Sequence, residues 1–143
     1  LSEGGFFDVA RICKKPFIAT HSNSMALCPH PRNLTDDQIR ALADAGGMTG
    51  LNFGPEFLNR DIRCQDSTAL QIAKHARHIA DVGGVDCVGI GSDFDGIKGN
   101  LEISDCTKVG LLEDALKNEG FSSDEIEKIF YKNVIRVMKD ALG

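Results

Sequence analysis

With 143 residues, 42% of them hydrophobic, the chain has material for one domain with a real core. Its net charge of −5, with 16 basic residues scattered along its length, leaves no basic stripe to neutralise phosphates, which argues against nucleic acid as a partner. No stretch approaches the ~20 consecutive apolar residues of a membrane span, and the opening LSEGGFFDVARICKK lacks a cationic start followed by an apolar run.

In chain order, SEGGFFDVARICKK places Phe7, Ala10 and Ile12 near one face and ends in basic residues, which predicts a short helix stopping before Pro16. PFIAT then reads as a buried strand. TDDQIRALADAGG predicts a helix with Thr35 as N-cap, Gln38 completing a capping box and Gly46 as the stop. MTGLNF is a second strand, followed by a polar loop, GPEFLNRDIRCQDS. Thr68 to Val82 spaces Ile72, Ala76 and Ile79 on one helical face and ends at Gly83-Gly84. VDCVGIG is the third strand, and TKVGLLEDALKNEG and SSDEIEKIFYKNVIRVMKDAL are helical with a break at Gly120. The carboxylates of SSDEIEKIF suit a helix start.

Strands separated by helices pair in parallel through right-handed crossovers, so the fold class is α/β with about three parallel strands and flanking helices. Three strands, apolar on both sides, want cover on both faces and partners at both edges. The chain therefore reads as part of something larger. The five cysteines, Cys13, Cys28, Cys64, Cys87 and Cys106, form no C-x-x-C pair, and an odd count suits reduced thiols and a cytoplasmic, bacterial address. The NLT sequon at Asn33 is read as chance.

In parallel α/β folds, functional side chains gather where strands end. That rule selects Thr20-His21-Ser22, Asn52-Phe53 and Ser92-Asp93-Phe94-Asp95. His21 can ligate a metal through one nitrogen while its other N–H is held by a neighbour, or be a partly buried histidine bonded to a loop. Arg32, ahead of a helix start, can grip a carboxylate bidentately or be a plain surface arginine. His30, flanked by prolines, is a loop residue. GIGSDFDG lacks the third glycine of a dinucleotide loop, since position 94 is Phe94. It reads instead as a strand end presenting Asp93, with Asp95 pointing roughly the same way. Such a carboxylate can orient an amine, move a proton or bind metal, or merely make an Asx-type turn. His75 and His78, three apart on a helix rich in Lys and Arg, are expected on a solvated face.

Taken together, PFIATHSNSMALCPHPRNLTDDQIRAL, LNF and VGIGSDFDGI resemble the C-terminal portion of the membrane dipeptidase family, renal dipeptidase-type peptidases of family M19. The most specific parts are the strand-end His-Ser followed eleven residues later by the arginine of R-N-x-x-D-D, and the D-F-D-G turn. The resemblance implies a (β/α)8 TIM-type barrel with a binuclear zinc site at the C-terminal strand ends, hydrolysing dipeptides by attack of a zinc-bridging hydroxide. It assigns His21 to zinc, Arg32 to the bound dipeptide, and Asp93 to substrate and catalysis. An alternative is a non-catalytic barrel relative that binds small molecules or partners.

A barrel of this kind takes ~250 residues, and the resemblance calls for further zinc ligands in an earlier half. Residues 1–143 are thus expected to be the C-terminal part of a catalytic barrel whose N-terminal half is absent, inactive alone and with apolar strand surface exposed. The implied partners are a dipeptide, the missing N-terminal half and a second copy in a homodimer.

Overall fold

The computed structural model describes residues 2–61 and 63–143. The chain opens with α1, Glu3–Ile12, capped by the Ser2 side chain accepting from the Gly5 N–H. Its buried residue is Phe6, packed edge-on against Phe17 at 5.7 Å. Ile12, expected on the inner face, is 70% exposed, because the phase of the helix is set by that aromatic contact.

Next come β1 (Ile18–Ala19), α2 (Asp36–Asp44) and β2 (Met48–Asn52). They are followed by the short α3 (Pro55–Leu58), β3 (Asp66–Ser67), α4 (Ala69–Gly83), β4 (Val88–Ser92) and β5 (Asn100–Leu101). The chain closes with α5 (Gly110–Asn118), α6 (Ser123–Glu127), a π turn over Lys128–Lys132 and α7 (Asn133–Leu142). The polar loop after β2 thus holds two elements that hydrophobic periodicity does not predict, α3 and β3. β5, which pairs in parallel with β3, is a third.

The main sheet is parallel, in the order β1-β2-β4. β2 sits in the middle and is buried at all five residues, as a strand between two neighbours under helical cover must be. β1 is shorter than PFIAT suggests. Pro16 offers no N–H to a ladder, and beyond Ala19 the chain lifts out of register. Between β2 and β4 the register slips by one residue near Gly91, a bulge that redirects the end of β4.

Ile39 and Leu42 of α2 and Ile72, Ala76 and Ile79 of α4 are fully buried in one core cluster with Leu51, Phe53 and Val88 of the sheet region. Asn133 at the start of α7 donates to the carbonyls of Val85 and Val88, both at 2.8 Å, locking that helix to the entry of β4.

Local capping holds α2 and α4 in place. Thr35 Oγ1 accepts from the Gln38 N–H at 3.2 Å, and Gln38 Oε1 accepts from the Thr35 N–H at 2.9 Å. Thr68 and Gln71 repeat the pattern at α4. Thr35→Ala should lower unfolding stability by about 1 kcal/mol, read as a lower urea midpoint with an unchanged slope. No helix among the described residues is long and apolar enough to cross a membrane.

Candidate active site

The C-terminal ends of the three strands present Thr20-His21, Asn52 and Ser92-Asp93 on one end of the sheet. Past β1 the Thr20 carbonyl crosses the glycines of both other strands. A Cβ on Gly50 or Gly91 would overlap that oxygen, so only glycine at these two positions lets the His21 backbone approach so closely. The Ser22 N–H then donates to the Gly50 carbonyl at 2.9 Å and fixes the turn. His21 is half-buried, and its Nδ1 lies 2.6 Å from the Thr20 hydroxyl. With the proton on Nδ1 and donated to that oxygen, the Nε2 lone pair is free to take a ligand.

The bulge at Gly91 delivers Asp93 in the left-handed region, φ 69°, an uncommon conformation for a residue with a Cβ. The Gly96 N–H donates to the Asp93 carbonyl at 2.9 Å, closing a turn through the backbone rather than through an Asx side chain. The side chain is thereby left to accept from Asn52 Nδ2 at 3.1 Å. Because the chain turns at Asp93 instead of continuing extended, the expectation that Asp95 points the same way fails. Asp95 is exposed and Asp93 half-buried.

Arg32 is exposed, with its guanidinium carbon 4.8 Å from the centre of the Phe57 ring. His30 meets the same ring edge-on at 4.7 Å, and its Nδ1 accepts from the Arg32 N–H at 3.2 Å. His30 is therefore a loop residue that supports the arginine. An aromatic face under a guanidinium limits its rotamers while leaving its N–H fork open.

His21 and Asp93 come from the same end of the sheet, where the His21 backbone packs on Gly91, the bulge residue two positions before Asp93. Arg32 sits on a separate loop, joined to them through buried asparagines. Of those residues Asn52 is among the strand-end candidates read from the sequence, whereas Asn23, Asn33 and Phe57 are not. The one available signal was an asparagine inside the apolar strand end LNF.

The solvated face expected for His75 and His78 is wrong for His75, which is 2% exposed. Its Nδ1 accepts from the Ser24 N–H at 3.1 Å and its Nε2 faces the Leu58 carbonyl at 3.3 Å. Burial pulls its pKa down to about 4; the Leu58 carbonyl opposes the shift and the neighbouring His78 adds to it. His78 pairs instead with Asp36 at 2.8 Å. Among the described residues no group of three or more His, Cys, Asp or Glu converges on a metal position.

Three comparisons bear on this geometry. Residues 1–142 match the family described as membrane dipeptidase (peptidase family M19). The chain is 41% identical to a Klebsiella pneumoniae protein encoded in the pqqA 5' region, over 98% of this chain and 52% of that protein. It is 37% identical to dipeptidase aclJ of Aspergillus oryzae, over 92% of this chain and 31% of that one. Its fold superposes with TM-score 0.90 and 38% identity on a metallo peptidase from Rhodobacter sphaeroides bound to a phosphinate mimic of the dipeptide L-Ala-D-Ala, covering 98% of this chain and 40% of that one. The chain thus spans about half or less of the length of the proteins it matches.

Proposed function

The chain belongs to the membrane dipeptidase family, peptidase family M19, and from that premise we propose that it carries part of the active site of a zinc-dependent dipeptidase. The observation that supports this reading best is the pair of strand-end side chains: a histidine whose Nδ1 is engaged by Thr20, and a carboxylate at the same end of the sheet held by Asn52.

His21 suits one position on a metal, its ring oriented by Thr20. A zinc centre takes three or four protein ligands per ion. The described residues supply no such set by themselves, so the remaining ligands come from a complementary portion of a (β/α)8 barrel. Bound there, the metal supplies Lewis-acid polarisation of the scissile carbonyl and a lowered pKa for water.

Arg32 offers a bidentate grip on the dipeptide carboxylate, and Phe57 holds it at the mouth of the site. Asp93 contacts the substrate amine and moves the proton that the departing amine needs. The need for a complementary portion is supported by the sheet, in which β1 and β4 each pair with β2 alone among the described strands. It is supported also by a 370 Å³ groove beside β1, lined by Phe6, Phe17 and Leu34 together with the polar Ser22, Arg32 and Gln38, and by the exposed Ile135, Met138 and Leu142 of α7.

The complete protein loaded with zinc should hydrolyse L-Ala-D-Ala and lose that activity on chelation. Residues 1–143 alone should not hydrolyse it. Zinc-stimulated hydrolysis by the isolated chain would overturn the division of ligands, and zinc binding by the complete protein without hydrolysis would favour a non-catalytic barrel.

A further inference from the structure

Three asparagines lie in the interior between the loop that carries Arg32 and the turn that carries Asp93. Asn23 and Asn52 are fully buried and Asn33 is 2% exposed. An amide in the interior costs free energy unless its donors and acceptor are met. Each of these meets them on another member of the group, on nearby backbone or, for the Asn52 Nδ2, on the Asp93 carboxylate.

Asn33 Oδ1 accepts from the Asn23 N–H at 3.1 Å, while its Nδ2 donates to the carbonyls of Cys28 and Phe57, both at 3.0 Å. Asn23 Oδ1 accepts from the Asn52 N–H at 2.9 Å, and its Nδ2 donates to the Asn52 carbonyl at 2.8 Å and to the Phe57 carbonyl at 3.3 Å. That exchange copies the pairing of one strand residue with its neighbour, with a side chain in the strand's place. Asn52 Oδ1 then accepts from the Gly54 N–H at 2.7 Å, which aims its Nδ2 at the Asp93 carboxylate.

We propose that Asn33, Asn23 and Asn52 form a buried amide relay of positioning residues, which holds Asp93 and Arg32 in one frame by bonding the strand end to the loop and to Phe57. The relay has two outputs. At one end the Asn52 amide fixes a carboxylate whose backbone is already in the left-handed region. At the other, the Phe57 carbonyl takes two amide donors while its ring carries the Arg32 guanidinium. A network serving only to fill the loop would not need to end on these two side chains, and buried amides held on all sides are stiff. The inference rests on the dipeptidase reading for what Asp93 and Arg32 do, but not for the relay itself.

The test has a catalytic and a non-catalytic arm. In the complete zinc-loaded protein with L-Ala-D-Ala, Asn52→Ser should lower kcat about tenfold with little change in KM, and should add no further loss in an Asp93→Ala background. Asn33→Asp, which keeps the Oδ1 acceptor and removes both Nδ2 donors, should instead raise KM about tenfold, with no further rise in an Arg32→Ala background. Penalties of equal size in both backgrounds overturn the proposal.

The second arm is backbone hydrogen exchange in the same variants without substrate. Exchange at the Asn23 and Leu34 amides should accelerate about tenfold or more in Asn33→Asp, with the α4 amides unchanged. Acceleration spread evenly over α4 would overturn the relay. A complete protein that hydrolyses no dipeptide, while these amides still respond together, would sink the functional reading and leave the relay standing.

Discussion

His21→Ala in the complete, zinc-loaded protein should cut kcat/KM for a dipeptide about a thousandfold, some 4 kcal/mol of transition-state stabilisation, and should lower bound metal. The size follows from what one imidazole contributes. Were His21 a ligand as proposed, its loss would weaken the hold on the ion and with it the carbonyl polarisation the ion would supply. The fold should survive, because the His21 ring is half-buried and, among the described residues, bonds only to the adjacent Thr20.

Thr20→Val separates ligand from orientation. It keeps the ring and removes the Nδ1 partner, so metal affinity or activity should drop about 10- to 100-fold. Metal content by mass spectrometry of the native protein, read beside kcat/KM, checks both variants. Full metal occupancy and full activity in His21→Ala would remove this histidine from the site.

Legibility in the sequence divides by range of interaction. Thr35 with Gln38 and Thr68 with Gln71 write the starts of α2 and α4 within four residues, so they could be read directly. The parallel order followed because each predicted strand was separated from the next by a helix. By contrast, β3 and β5 are two residues each and carry no hydrophobic alternation; only their pairing with each other, Asp66 with Asn100 and Ser67 with Leu101, makes them strands.

The site divides in the same way. Strand ends selected His21 and Asp93, but the left-handed turn at Asp93 depends on a bulge against β2, and the amide relay on bonds spanning up to 41 residues. The burial of His75 escapes the sequence for a related reason. KHARH looks solvated along its own helix, and the burial of its first histidine is imposed by the end of α3, 17 residues away, and by a loop 51 residues away.

That buried histidine sets a second large effect, the acid sensitivity of the fold. In the unfolded chain His75 titrates near its ordinary value of 6.5, whereas in the fold burial holds it neutral down to about pH 4. Between those values the unfolded chain binds a proton that the native one does not, so stability rises with pH across the window. The contribution is present in full above about pH 6.5 and is lost as pH falls toward 4, about 3 kcal/mol in all.

His75→Gln offers an acceptor and a donor without a titrating group, so the wild-type advantage over it should shrink as pH drops from 7 to 4.5 in urea unfolding. Exposed carboxylates held low by their neighbours, such as Asp124 and Glu127 beside Lys132, titrate alike in both proteins and cancel from the difference. A difference independent of pH would show that His75 is not the group responsible. Protonating His75 would convert its Nδ1 from acceptor to donor against the Ser24 N–H, three residues from His21, so the strand-end turn should loosen first. Faster exchange at Ser24 than at the α4 amides, below about pH 5, is the expected local sign of that order of events.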